Sequence, residues 1–148
     1  MKENGHLSAE AITPGVTGTI SGLVLRIRPG RQSIAPAPIL EQLAERYPLV
    51  LVSNFYGNIE SVLKDFGLDH LFGAIVESAV VGIRKPDPAI FRLGVDKLGF
   101  PADEIVVVGD SYDKDIVPAT RIGCQTIWLK SIGWSAYKGN ETADIVLS

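Results

Sequence analysis

The stretch Ile105-Val106-Val107-Val108-Gly109-Asp110-Ser111-Tyr112-Asp113-Lys114-Asp115-Ile116 passes from an unbroken apolar run to a cluster of acids. Its first four residues are β-branched and apolar, the pattern of a strand buried on both faces of a parallel sheet. Asp110 and Asp115 would then leave the C-terminal end of that strand, at the edge where open α/β sheets bind ligands. Read alone, the stretch is equally a plain strand, a Gly-Asp turn and a capped helix. Its neighbours decide.

Working outward, apolar periodicity alternates between strand and helix. Ile39, Leu40, Leu43, Ala44 and Tyr47 mark a helix that Pro48 stops. Leu49–Val52 reads as a strand ending in Ser53-Asn54. Ile59, Val62, Leu63 and Phe66 mark a second helix closed by Gly67. Phe72–Glu77 is a short strand, and Pro88 opens a helix carrying Ile90, Phe91, Val95 and Leu98, with Gly99 behind it. A helix from about Asp113 to Ile122, a strand at Thr126–Leu129 and a last strand at Asp144–Leu147 complete the series. The alternation predicts an α/β fold, a mainly parallel sheet with helices on both faces. Residues 1–19 read as a flexible arm and residues 20–148 as one core domain. Thr19–Arg28 reads as a weak strand, interrupted by Gly22. The chain stops directly after a strand, where a further helix is expected, so it reads as clipped at that end.

The bulk numbers exclude several classes. With 148 residues, 46% hydrophobic and 21% charged, the chain is of ordinary globular composition and long enough for a real core. A net charge of −3 offers no basic face for nucleic acid. No apolar run approaches membrane-spanning length and no signal peptide is visible, so neither a membrane nor a nucleic-acid partner is expected. A lone cysteine, Cys124, fits a reducing, cytoplasmic setting and opens an apolar run, as a core thiol would.

Three strand ends present polar groups to one sheet edge: Ser53-Asn54, Lys85 within Gly82-Ile-Arg-Lys-Pro-Asp-Pro88, and Asp110 with Asp115. A hydroxyl beside main-chain N–H groups can hold a phosphate oxygen, and a lysine can neutralise its charge. Paired carboxylates suit a hard divalent cation such as Mg2+. Each has a plainer reading: a turn at Ser53-Asn54, a solvated lysine, and caps at Asp87 and Asp113, the capping role being preferred for Asp87. Their order along one sheet favours the chemical reading.

Taken together, LVSNFYGN, GIRKPDPAIF and VVVGDSYDKDI resemble the second, third and fourth motifs of the haloacid dehalogenase (HAD) superfamily, in order and spacing, over roughly residues 36–148. The resemblance implies a three-layer α/β/α, Rossmann-like core, here with no recognisable cap domain. It implies that Ser53 and Asn54 bind a phosphoryl group, that Ser53 and Lys85 stabilise its charge during transfer, and that Asp110 ligates Mg2+. Asp115 would assist the metal or orient Lys85. The acids look more like those of the phosphatase and phosphomutase branches than those of the dehalogenases, with a small phosphorylated metabolite as substrate.

One part of the pattern is missing. The family's nucleophile lies in an Asp-x-Asp-x-Thr motif after the first strand, and this sequence has no Asp before Asp65. Glu3 and Glu10 fall in the arm; Glu41, Glu45 and Glu60 fall on helices. Two explanations stand. The chain is the C-terminal part of a longer protein, or residues 20–28 fill the central slot of the sheet with Arg26 and Arg28 in place of the two acids. An unfilled slot would favour a homodimer or an exchanged strand. Without the nucleophile the chain alone is expected to be inactive. The alternatives are a non-catalytic anion- or Mg2+-binding or regulatory module on the same fold, and, ranked lower, a receiver-like domain. The substrate is not readable. Trp134 and Tyr137 are expected to pack over the sheet edge, His6 to lie in the arm, and His70 to be half-buried.

Overall fold

A computed structural model of the chain describes residues 17–21, 37–130 and 143–147. The strands are β1 (Thr17–Ser21), β2 (Val50–Ser53), β3 (Ala74–Glu77), β4 (Ile105–Gly109), β5 (Gln125–Leu129) and β6 (Ile145–Leu147). The helices are α1 (Ala37–Arg46), α2 (Ile59–Asp65), α3 (Ser78–Val81), α4 (Pro88–Leu98) and α5 (Val117–Arg121). The strands form one sheet in the order β3-β2-β1-β4-β5-β6, and every ladder between neighbours is parallel.

Period-two alternation sorts the strand side chains to two faces. Leu49 and Leu51 join Leu40 of α1, Ile59 and Leu63 of α2, and Leu71 and Phe72 in one core. Val50 and Val52 turn the other way and meet Ile90 and Phe91 of α4, Ile105 and Val107 of β4, and Ala119 of α5. The sheet is thus a buried middle layer, which is why β2 and β4 read as continuous apolar runs. Cys124 is buried in the second core, and burial pushes its thiol pKa up to about 11. No helix among the described residues is long and apolar enough to cross a membrane.

Local chemistry sets the helix ends. Asp87 caps α4, its Oδ1 accepting from the Ala89 N–H at 2.9 Å, and Pro88 takes the first helical position. Gly99 ends the helix at φ 74°, a conformation costly for any residue with a Cβ.

The structure departs from the sequence reading in four places. The slot between β2 and β4 is filled by Thr17–Ser21, which shares Ile20 and Ser21 with the expected segment 20–28, whose other residues lie outside the described ones. Thr17, Gly18 and Thr19 therefore belong to the sheet and not to an arm; residues 1–16, His6 among them, and 22–36, with Arg26 and Arg28, lie outside the described residues, as do Trp134 and Tyr137. The expected helix from Asp113 starts instead as a π turn, Tyr112–Ile116, capped by Ser111 Oγ on the Lys114 N–H at 3.4 Å. Helix α3 was not foreseen, and His70 is exposed in a turn of 3-10 helix rather than half-buried.

Candidate active site

Register brings the polar strand ends together. Thr19 of β1 lies opposite both Val50 and Val107, so Ser53 and Asp110, each three residues further on, leave the sheet level with one another on either side of β1. Ser53 pairs with Glu77 in the next ladder. The C-terminal edge of β2, β1 and β4 is thus one contiguous surface, the place where a parallel sheet offers ligand sites.

Lys85 reaches this surface from the loop between α3 and α4. Its Nζ donates to Asp115 Oδ1 at 2.6 Å, with the side chains only 6% and 1% exposed. The second carboxylate oxygen of Asp115, Oδ2, accepts from the Ser111 N–H at 3.1 Å. The π turn makes this possible: the Asp115 and Ile116 N–H groups both return to the Ser111 carbonyl, which folds Asp115 back against β4. Gly109 makes room for it. A Cβ at position 109 would sit 2.4 Å from Asp115 Cβ and 2.7 Å from its Cγ. The Gly-Asp pair at the end of β4 is there for close approach, not for an unusual turn.

Asn54 fixes the lysine's backbone. Its Oδ1 accepts from the Lys85 N–H at 2.8 Å and its Nδ2 donates to the Lys85 carbonyl at 3.0 Å. The amide of Asn54 is therefore committed to positioning Lys85. Behind β2, the buried Glu77 carboxylate accepts from the Gly57 N–H at 2.7 Å and the Ile59 N–H at 3.3 Å through the same Oε1. It does for α2 what Asn58, which makes no capping bond, does not. Ser78 completes the clamp: its Oγ accepts from the Phe55 N–H and donates to the Phe55 carbonyl. On the far side, Trp128 Nε1 donates to the Asp110 carbonyl at 3.2 Å, tying the half-buried Asp110 to β5.

Of the residues singled out from sequence, the structure brings Lys85 and Asp115 into contact, joins Asn54 to the Lys85 main chain, and sets Ser53 and Asp110 at matching heights. Glu77, Ser78 and Trp128 went unnoticed. Glu77 left one trace, an acid closing the apolar run Ala74–Val76. Nothing in the sequence marked its partners at Gly57 and Ile59.

Comparison with known proteins agrees with this geometry. A family model described as haloacid dehalogenase-like hydrolase matches residues 35–123. The haloacid dehalogenase-like hydrolase domain-containing protein 3 of Danio rerio is 41% identical over 73 residues, covering 49% of this chain and 30% of that protein. The 5-amino-6-(5-phospho-D-ribitylamino)uracil phosphatase of Escherichia coli is 36% identical over 91 residues, covering 62% and 37%. The chain thus spans about a third of the length of these curated relatives. Among solved structures, a HAD phosphatase from Thermococcus onnurineus superposes with a TM-score of 0.67 at 31% identity, over 74% of this chain and 50% of that one. With its parallel sheet, its buried lysine–aspartate pair and these relatives, the chain belongs to the haloacid dehalogenase-like hydrolases.

Proposed function

We propose that this chain is the core of a phosphatase-type hydrolase that binds the phosphoryl group of a small phosphorylated metabolite between Ser53 and Lys85. The observation that carries the reading is the Lys85–Asp115 pair, buried and tied through the Lys85 main chain to Asn54, the residue after Ser53. Burying two charges costs several kcal/mol per ion before pairing repays it, on the order of what a hydrophobic pair would have added. A site that must meet a phosphate dianion is a reason to keep them. The Ser53 hydroxyl would donate to a phosphoryl oxygen and Lys85 would balance its charge, with Asn54 contributing through its main chain, since its amide is taken.

A divalent metal fits in part. Among the described residues no three acids, histidines or cysteines converge as a metal cluster. Mg2+ needs no such cage: it keeps several waters and binds through one or two carboxylates. Asp110 would supply one. Asp115, with both oxygens already accepting hydrogen bonds, is suited to orienting Lys85, and would join the metal only by loosening that pair. When bound, the ion would offset the charge of the phosphoryl oxygens.

Turnover is a separate matter. The sequence from Gly22, which follows β1, to Pro36 contains no acid, so a carboxylate to accept the phosphoryl group is wanting in the segment that leaves β1. Loss of a covalent nucleophile costs several orders of magnitude in rate. The chain alone is therefore proposed to bind without turning over. This same observation favours a second reading, a non-catalytic module that keeps an anion or Mg2+ site. A single cysteine, Cys124, is in keeping with a cytoplasmic protein. Calorimetric titration with inorganic phosphate in Mg2+ buffer, alongside a phosphatase assay on 4-nitrophenyl phosphate, tests the proposal. Binding that Lys85→Ala abolishes, with no turnover, supports it. Failure to bind phosphate refutes the site, and Mg2+-dependent turnover lost in Asp110→Asn refutes the inactivity.

A further inference from the structure

Beside the phosphoryl-binding residues lies a cleft of 360 Å³ lined by Asn54, Phe55, Tyr56, Ala79, Ile83 and Arg84, among others. We infer that it takes the non-phosphoryl end of the substrate, and that this end carries a carboxylate read by Arg84. The inference rests on the phosphoryl site just proposed and names the substrate class for it: small phosphate monoesters with a carboxylate a few bonds from the ester.

Position comes first. Asn54 follows Ser53 and Arg84 precedes Lys85, and the two loops are joined by the paired hydrogen bonds of Asn54 to the Lys85 main chain. The cleft thus starts one residue, about 3.8 Å along the backbone, from each phosphoryl-binding residue. A phosphoryl group held at Ser53 and Lys85 would leave its substituent within reach of the cleft.

The chemistry of the walls comes second. The polar groups there are mostly spent. The Asn54 amide is used at both ends on Lys85, and the Ser78 hydroxyl, which also lines the cleft, both donates to and accepts from Phe55. These bonds also stiffen both walls. The Arg84 side chain, by contrast, is exposed and makes no hydrogen bond or ion pair with any described residue, its main chain alone being engaged through the carbonyl, which accepts from the Asp87 N–H at 3.0 Å. Phe55, Ala79 and Ile83 supply apolar surface, and Tyr56 stands 91% exposed at the cleft. An open cleft of a few hundred Å³ with mixed apolar and polar walls and one charged side chain in its lining is of a size to hold a small molecule. The planar guanidinium matches a carboxylate through two parallel N–H donors.

Calorimetric titration of the full chain with two non-hydrolysable probes, methylphosphonate and phosphonoacetate, in Mg2+ buffer tests the inference. Phosphonoacetate, which adds the carboxylate, is expected to bind about tenfold tighter, the effect of one charge-assisted hydrogen-bonded pair. Arg84→Gln should remove that advantage and leave methylphosphonate affinity as it was. Ala79→Leu, which fills the cleft from α3, should also weaken phosphonoacetate alone. If methylphosphonate binds and phosphonoacetate binds no tighter, or keeps its advantage in Arg84→Gln, the carboxylate cleft is refuted and the phosphoryl site stands. If neither probe binds, both readings fall.

Discussion

Replacing Gly109 by alanine puts the packing behind the site to a direct test. The new Cβ would meet Asp115 Cβ at 2.4 Å and both Cγ and Oδ2 at 2.7 Å. Carbon atoms settle near 3.5–4.0 Å, so Asp115 must retreat by roughly an ångström. Its Oδ1 is 2.6 Å from Lys85 Nζ and its Oδ2 is 3.1 Å from the Ser111 nitrogen. A retreat of that size stretches at least one of the two beyond hydrogen-bonding range. Overpacking a core costs about 1–3 kcal/mol, and a buried ion pair losing a partner about 3–5 kcal/mol. Because the pair is stretched rather than deleted, the expected loss is about 2–5 kcal/mol. Urea denaturation followed by circular dichroism measures it. Gly73→Ala is the control, since a Cβ there meets only the Leu49 carbonyl oxygen at an ordinary 3.8 Å. If Gly109→Ala is no less stable than Gly73→Ala, the proposed role of Gly109 is wrong.

Other outcomes follow from the same contacts. Asp115→Asn takes the charge of Asp115 from its 2.6 Å contact with the buried Lys85 and should cost about 3–5 kcal/mol in urea denaturation, more than Asp110→Asn at its half-buried position. Glu77→Ala orphans the Gly57 and Ile59 N–H groups and should cost about 1–3 kcal/mol for each that stays buried, whereas Glu77→Gln, which keeps a carbonyl acceptor, should fall between it and the parent; equal losses for the two variants would contradict the clamp. Cys124 should resist a thiol reagent in the folded protein and react on unfolding. Its folded pKa is raised from 9.0 to about 11, so the unfolded chain gives up its proton first. The stability it contributes is whole below pH 9 and is lost as pH rises through about 11. Denaturation midpoints that fall across that window in the parent but less in Cys124→Ala would show it.

How much of this was legible depended on whether the cause was local. Asp87, Pro88 and Gly99 delimit α4 through bonds within one helix, so their residue types announced it. The alternation of Leu49, Val50, Leu51 and Val52 between two cores likewise needs no distant information. The first strand is the opposite case. Leu23, Val24 and Leu25 carry the stronger apolar signal, yet Thr17–Ser21 pairs with β2 and β4. Strand preference reflects the partners a segment meets, and those lie far along the chain. At the site, Ser53, Lys85 and Asp110 could be singled out because their residue types suit phosphoryl chemistry. The supports could not. Asn54 drew notice as a ligand, while the bracing role of its side chain stayed hidden, because the partner is a main-chain group on a loop more than thirty residues away. The closeness of Gly109 to Asp115 depends on a π turn that no periodicity signals.

The place of β1 has a further consequence, for the order in which the molecule can be assembled. Thr17–Ser21 leaves the ribosome ahead of the other described strands and yet sits between β2 and β4. One of its edges can be covered once Val50–Val52 exists. The other must wait for Ile105–Val108, which Thr17–Ile20 meet in parallel register. Until then a growing chain that has already made β1, β2 and β3 carries an open edge in the middle of its future sheet. Such edges template wrong pairings, and long-range parallel pairing is slow to form. The chain's vulnerable interval during synthesis is therefore the stretch between β3 and β4, and closure of the sheet coincides with completion of the strand that brings Asp110 to the site.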